Sequence, residues 1–547
     1  MYRVGLLADG PSVHKIYADL VDWADRQPDV QISLIIQRAP GSQPGRLGAW
    51  RDMLRKRGLY ATLSHLAFSQ LVKLEQKWGL RGLHHIAGMR DIGSKVADYI
   101  EVTPLVSKSG FVHRFSDGDL ERVRTLDLDL LIRAGSGILK GEILSAARHG
   151  ILSIHHGDNR IYRGGPPGFW EVVERQPSTG FVIQRLTEEL DGGEVLFRGS
   201  MPTEFLYTRN QAMLFERSAV PLQHAVRQVL EGKSVAEPPH IYSHRLYTYP
   251  LLRDAIRYVA KTLSFWSRGF WRRLRGRRPR WGVAYLNGDW ASAVLWRGKV
   301  IPNPPGRFLA DPFALVSQEG ERYIFLEDLE DRLGRGVISA YRLDDNGVAE
   351  RLGVVLEESF HLSFPFIFRS GDTLYMCPET AQTRQVRLYR CTEFPLRWEF
   401  ERVLLDAIDA SDTLIFEHGA GWAMLTSIDS SALGGPSELH GYLADDPLGP
   451  WTKIGSGPLL MDAERGRNGG LLTRGEHVFR VAQRPGFGAY GRAFSIYRID
   501  RMDEHGYGET KVQDVEPAFR QGIDGTHHLH NDGDFVVFDF MRNERFR

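Results

Sequence analysis

His155 and Asp191 could exchange a proton; the first follows a run that reads as a buried strand, and the second lies in the turn beyond another. The first run, Ile151-Leu152-Ser153-Ile154, delivers His155 and His156. The second, Gly180 to Leu186, leads to the turn Leu190-Asp191-Gly192-Gly193. Between them, Arg163-Gly164-Gly165-Pro166-Pro167 closes a loop and Phe169 to Arg175 reads as a short helix. Loops after strand ends are where sites form in parallel α/β sheets. On residue types alone, a turn that merely contains His and Asp fits equally well.

Elements able to hold such a pair precede it. Val4 to Ala8 reads as a strand, Val13 to Arg26 as a helix and Val30 to Ile36 as a second strand, an order that makes a parallel sheet the default. The turn Ala8-Asp9-Gly10-Pro11-Ser12 lacks the glycine spacing of a dinucleotide site. Residues 39–100 read as an insertion beside the sheet, opening on Pro40 to Gly45 and continuing with Leu63, Leu66, Ala67, Leu71 and Leu74 at helical spacing. His84 and His85 in it read as a satisfied or exposed pair. Ser116 and Asp119 mark a helix start. Leu128 to Ala134 is a strand, and Gly135-Ser136-Gly137-Ile138 a glycine-rich loop. Glu142 to Arg148 reads as a helix, Glu194 to Arg198 as a strand, and Asn210 to Glu231 as one long core helix.

His155, Arg163-Gly164 and the Leu190-Asp191-Gly192-Gly193 turn resemble the catalytic segment of the folate-dependent formyltransferases, over roughly residues 1–235. Ser153 stands where that family has Asn, and Gly157-Asp158-Asn159-Arg160 replaces its usual loop. The resemblance implies N10-formyltetrahydrofolate as co-substrate, held in part by backbone groups of Gly135, Ser136, Gly137 and Ile138. It implies an amine acceptor, an oxyanion donor at protonated His155, and Asp191 holding that imidazole and relaying the amine proton. The family's Asn supplies a second donor; Ser153 is shorter, so that donor is displaced or lost, with His156, Asp158 or Asn159 compensating, and Arg163 would orient an anionic substrate group.

With 547 residues the chain exceeds a single core, and 42% hydrophobic with 25% charged residues is an ordinary globular composition. A net charge of +1 gives no case for a nucleic-acid partner. Cys377 and Cys391 are too few for a disulfide framework and lack metal-ligand spacing, so a reduced, cytoplasmic compartment is expected. The N-terminal strand meets Asp9-Gly10-Pro11 too soon for a signal peptide, and no apolar run spans a bilayer. Residues 236–280 read as a linker. Its stretch Arg268–Arg280 carries seven arginines and no acid, interleaved with Phe270, Trp271 and Leu274. Two readings stand: a solvated helix with a basic end, or a peripheral contact with a membrane's inner face or an anionic glycolipid.

From Trp281 the texture becomes short strands. Five units begin at Ala310-Asp311, Ser363-Phe364, Ser411-Asp412, Arg467-Asn468 and Thr526-His527, each followed by two apolar strands. That period predicts a five-bladed β-propeller, with a β-sandwich as the alternative. Arg467-Asn468-Gly469-Gly470 and Cys377-Pro378-Glu379-Thr380 resemble the five-bladed glycosidase-like propellers, in particular that of plant glucosamine inositolphosphorylceramide transferases. The resemblance implies a cavity lined by Asp311, Glu379, Asp412, Asn468 and His527. The carboxylates are then candidates for acid–base work on a glycosidic bond or for glycan binding. Phe364 occupies a starter position where the hydrolase pattern has Asp, which favours binding. His527 reads as hydrogen-bonded structure rather than a metal ligand.

The expected fold is therefore an α/β parallel-sheet formyltransferase-like domain (1–235) plus an all-β five-bladed propeller (281–547). The expected function is formyl transfer to an amino sugar, nucleotide sugar or glycan. Two alternatives stand: a glycan-active propeller enzyme, and a non-catalytic polysaccharide-binding assembly protein.

Overall fold

Strands β1 (Tyr2–Ala8), β2 (Val30–Gln37), β3 (Tyr99–Val102), β4 (Leu130–Arg133), β5 (Ile151–His155), β6 (Ser178–Arg185) and β7 (Glu194–Pro202) form one sheet in the order β7-β6-β5-β4-β1-β2-β3. The computed structural model describes residues 1–38, 46–96, 98–108, 110–429 and 437–545, so the Pro40 to Gly45 stretch lies outside the described residues. β1 pairs in parallel with β2 and β4, β4 with β5 and β2 with β3, while β6 and β7 run antiparallel to their neighbours. The order reverses between β1 and β4, and the crevice beyond their C-terminal ends is where such sheets bind ligands. Both faces are covered. Val4, Leu6 and Ala8 of β1 pack with α1 (Lys15–Ala24) and α6 (Ala219–Leu230), whereas Leu7 packs with Leu131, Ile151 and the helix α3 (Asp117–Arg124).

The chain divides into the units Met1–Phe265 and Trp266–Arg547. Four expectations for the first unit change. The supposed insertion of residues 39–100 ends inside the sheet, because β3 is its edge strand. It also contributes α2 (Arg46–Gly79), whose Phe68 is buried against Tyr207 and Phe169, the first residue of α4 (Phe169–Glu174), and whose Glu75 accepts hydrogen bonds from Thr208 and Tyr258. The long helix of 210–231 is two helices, α5 (Tyr207–Arg217) and α6, which meet at Ser218. Pro221, three residues on, has no N–H to continue the earlier ladder. Residues 236–265 are part of this unit rather than a free linker: Tyr247 bridges Gly164, and Ala255, Tyr258 and Thr262 of α7 (Leu252–Leu274) are buried. Glu142 to Ser145 is a single 3-10 turn.

The second unit holds five antiparallel sheets among the described residues. Their first strands are Arg307–Val316, Ser363–Ser370, Ala410–His418, Asn468–Arg474 and Leu529–Asp532. Each packs on the next, and Leu529–Asp532 packs on both Asn468–Arg474 and Arg307–Val316, so the cycle of contacts closes. The last sheet takes Arg277–Asn287 from the start of the unit and pairs it with Phe535–Arg545. In the first four sheets the ladder skips two residues at the same place: Asp311-Pro312, Phe364-Pro365, Asp412-Thr413 and Gly469-Gly470. Asp311, Phe364 and Asp412 there have φ of 47°, 46° and 50°, a left-handed backbone that turns the residue out of the strand's alternation. In the fifth sheet His527-His528 fall in the gap between Ile523–Gly525 and Leu529–Asp532.

Arg480 holds the fourth sheet's interior. Its guanidinium is fully buried and donates to both oxygens of Glu509 at 2.8 Å, to the Arg465 carbonyl and to Asn468 Oδ1. Removing one member of a buried pair strands the other. Glu509→Gln should therefore lower the unfolding free energy by about 3 kcal/mol. Changing the exposed Asp503 partner of Arg501 should leave the urea denaturation midpoint nearly unmoved, and the same measurement reads both variants.

Candidate functional site

β5 ends at His155 and pairs with β6 so that Ser153 faces Gln184 and His155 faces Val182. The imidazole is buried. Its Nε2–H donates to the Tyr162 carbonyl at 2.7 Å, and its Nδ1 faces Asp191 Oδ1 at 3.6 Å. Asp191 sits in a left-handed turn (φ 49°), and its Oδ2 accepts from the Gly164 amide at 3.2 Å. Gly164 is irreplaceable there: at φ 101°, a Cβ would stand 2.0 Å from the Tyr247 carbonyl oxygen. The segment around Tyr247 thus braces the loop that presents an N–H to Asp191. His155, Asp191, Ser153 and Ile138 share a cavity of about 440 Å³ with Arg133 and His156. Arg133 closes β4, where its Nη1 lies 3.4 Å from Ser153 Oγ and its Nε and Nη2 donate to the Gly137 carbonyl. His156 donates to or accepts from Ser218 Oγ at 3.2 Å and packs edge-on against Phe215. Burial, aided by the neighbouring His155 and His14, holds His156 well below the usual imidazole range, so it is neutral.

Several residues expected at this site are engaged elsewhere. Asp158 is ion-paired with Arg160 and with Arg198, and Asn159 Oδ1 accepts from Arg198 at 3.1 Å. Arg163 donates to the Asn159 carbonyl and lies over the Tyr242 ring at 4.4 Å. None of the three lines the cavity. They brace the loop, because each charge or amide already has a partner inside the protein. Gly135, Ser136 and Gly137 also stand off it: the Ser136 amide and hydroxyl both donate to Asp9, and Gln37 donates to the Ser136 carbonyl. Of that loop, Ile138 lines the cavity. The expected His155 donor is committed through Nε2 to Tyr162, and Arg133 brings a cationic donor to the same cavity.

The bulges of the second unit gather a second cluster. Arg467 Nε donates to Asp412 Oδ2 at 2.5 Å, and its Nη2 lies 3.8 Å from Glu379 Oε2. Gln483 donates to the same Asp412 oxygen at 3.1 Å. His527 is paired through Nδ1 with Asp539 at 2.5 Å, faces Asp311 through Nε2 at 3.6 Å, and stacks on Trp281 with centroids 4.0 Å apart. Ligand-type atoms of Asp311, His527 and Asp539 lie within 4.8 Å of one another, a spacing that could also hold a cation. Burial, with Asp412 and Asp539 adding to it and His527 opposing, pushes the Asp311 carboxyl up to about 7. Burial and Asp412 push Glu379 up to about 8 against the pull of Arg467. Glu327 is also raised, by burial first and then by Asp311 and Glu379. Burial would lower the His527 imidazole, but Asp539 and Asp311 outweigh it and raise it. Asn468 is not a surface for ligand. It is fully buried, its amide donates to the Asp412 and Leu425 carbonyls, and its oxygen accepts from Arg480, so it positions Asp412.

Residues 298–530 match the family described as glucosamine inositolphosphorylceramide transferase 1, N-terminal. The glucosamine inositolphosphorylceramide transferase 1 of Oryza sativa subsp. japonica is 35% identical over 215 residues, which is 38% of this chain and 28% of that protein. Methionyl-tRNA formyltransferase of Bacillus subtilis is 27% identical over 214 residues, 38% of this chain and 63% of that protein. The chain joins a formyltransferase-like domain to a region related to that ceramide transferase. A solved sugar N-formyltransferase from Shewanella, 14% identical, covers 47% of this chain and 87% of its own, with a TM-score of 0.28. In the formyltransferase-like domain, the residue that motif reading missed is Arg133. In the second unit the missed residues are Glu327 and Asp539, with Trp281 stacked on His527. A shared signal marks Arg133, Glu327 and Asp539: a charged residue closing or interrupting an apolar strand, as in Leu130-Leu131-Ile132-Arg133 and Val536-Val537-Phe538-Asp539.

The raised Glu379 carboxyl has a consequence for stability. Its ordinary value of 4.5 becomes about 8 in the folded chain, so between those values the folded state binds more protons. Its contribution is full below about pH 4.5 and is lost as the pH rises through about 8. The wild-type melting temperature should fall across that interval, and Glu379→Gln should flatten the fall in a calorimetric pH series.

Proposed function

We propose that the first unit transfers a formyl group from N10-formyltetrahydrofolate to the amine of an amino sugar, free, nucleotide-linked or within a glycan. The observation that carries this reading is the His155–Asp191 pair in a cavity that also holds Ser153 and Arg133. The likeness to methionyl-tRNA formyltransferase supports the same reaction class. The amine nitrogen attacks the formyl carbon and the carbonyl oxygen becomes an oxyanion. Arg133 Nη1 and the Ser153 hydroxyl are its donors, a fixed cation standing in for an amide. Asp191, oriented by His155 and the Gly164 amide, takes the proton that the attacking amine sheds. Collapse breaks the bond from the formyl carbon to N10, which takes the proton held by Asp191 as tetrahydrofolate leaves.

Incubating the purified chain with N10-formyltetrahydrofolate and a nucleotide-linked amino sugar, and following formylated product by mass spectrometry, tests this. His155→Asn and Asp191→Asn should each reduce turnover by at least about a hundredfold. Arg133→Gln should do so by about 10²–10³-fold, chiefly in kcat, with the fold intact by circular dichroism. Near-wild-type turnover in Asp191→Asn, or no folate binding by calorimetry, removes the assignment.

The five sheets, with their closed cycle of first strands, support reading the second unit as a five-bladed propeller that recognises saccharide. A second reading, action on a glycosidic bond, is favoured by one observation. Asp311 and Glu379 are pushed up to about 7 and about 8 beside Asp412, which accepts from Arg467, an arrangement suited to a proton donor next to a charged partner. Asp311→Asn with Glu379→Gln should weaken glycan binding at least about tenfold while leaving folate affinity unchanged, since the two sites belong to separate units. Calorimetry on the double variant measures both, and glycan cleavage by the wild type would select the second reading.

A further inference from the structure

Helix α7 carries two stripes with different fates. Ala255, Tyr258 and Thr262 are buried in the first unit, where Tyr258 donates to Glu75, and Lys261 next to them donates to the Val173 carbonyl. A second stripe has no such cover. Ile256, Leu263, Phe270 and Leu274 are 57–60% exposed, and Trp271 beside them is 57% exposed. At about 100° per residue these four fall within roughly 20° of one line along the helix. Arg257 and Arg275 follow about 120° to one side of that line, and Arg273 lies about 80° to the other. Arg272, Arg273, Arg275 and Arg277 form no ion pair with a carboxylate among the described residues, and each is exposed.

An apolar stripe of this length left in water is unfavourable, at about 25 cal/mol per Å². Cations along its flanks rule out a purely apolar occupant, and aromatic side chains within it go beyond what a polyanion's backbone alone would need. Apolar stripe, aromatic anchors and unpaired arginines together match the boundary between acyl chains and anionic headgroups. We propose that α7 lies on an anionic bilayer surface, inserting Phe270, Trp271 and Leu274 while Arg273 and Arg275 meet the headgroups. Among the described residues no helix is long and apolar enough to cross a membrane, so the contact is one of lying on the surface. This inference is independent of the formyl-transfer reading, since none of these residues lines the first unit's cavity.

Co-sedimentation of the full chain with phosphatidylcholine vesicles, with and without about one-third phosphatidylserine, decides it. Binding should be at least about tenfold tighter to the anionic vesicles and should weaken as salt is raised to about 0.5 M. Phe270→Ser with Leu274→Ser, and separately Arg273→Gln with Arg275→Gln, should each lose about tenfold or more while thermal unfolding stays unchanged, because all four residues are exposed. Equal binding to phosphatidylcholine alone, or full binding by both double variants, overturns the proposal. So does either of two outcomes without vesicle binding: a dimer in sedimentation analysis that Phe270→Ser with Leu274→Ser abolishes, or salt-sensitive capture of duplex DNA. The first would give the stripe to a second copy, and the second would give the arginines to nucleic acid.

Discussion

A β-ladder alternates its side chains between two faces, so unbroken strands cannot turn their polar residues toward a shared centre without also burying the wrong neighbours. The second unit resolves this by letting two residues leave the ladder at the same position in four sheets. Asp311 and Asp412 reach Arg467 and His527 because their backbone is left-handed, and Phe364 uses the same conformation to bring a ring against Phe313 and His528. One geometry thus serves charge in two sheets and apolar packing in a third. The left-handed region is costly for residues with a Cβ, and the interior holds them there. Asn468 ties Asp412 by its backbone carbonyl, Arg480 ties Asn468, and Glu509 neutralises Arg480.

The first unit solves a related problem with loops. His155 is fixed by the Tyr162 carbonyl and Asp191 by the Gly164 amide, so two backbone groups orient the pair. Both belong to the loop closed by Arg163-Gly164. The loop is in turn held by Asp158 and Asn159 on Arg198, and by Tyr247 over Gly164. Residues that resembled ligand contacts therefore do the bracing, one step removed from the cavity.

Much of this was legible in the sequence where a local rule applied. The His155 and Asp191 positions follow from strand ends and a glycine turn, and the first-strand starters follow from a repeated pattern of small or polar residues before apolar runs. Arg133, Glu327 and Asp539 were not legible as site residues, because each lies within or at the end of an apolar strand and gains its meaning only from strands distant in sequence. Residues 236–265 looked like a linker because segments without period resemble one. Tyr247 and Tyr258 reveal their roles only where Gly164 and Glu75 are brought beside them. Asn468 was misread in the opposite sense: a conspicuous motif signalled a fold-bearing amide rather than a contact for ligand.

The last sheet of the second unit joins Arg277–Asn287 to Phe535–Arg545, with Arg277 opposite Arg545. During synthesis, the strand that opens this unit leaves the ribosome long before its partner exists. The four intervening sheets pair sequence neighbours and can assemble as they emerge, but the cycle of first strands cannot close until the final strand arrives. Until then Arg277–Asn287 is an unpaired edge, and its arginines at 277, 278 and 280 are the kind of charges that keep such an edge from recruiting a stray strand.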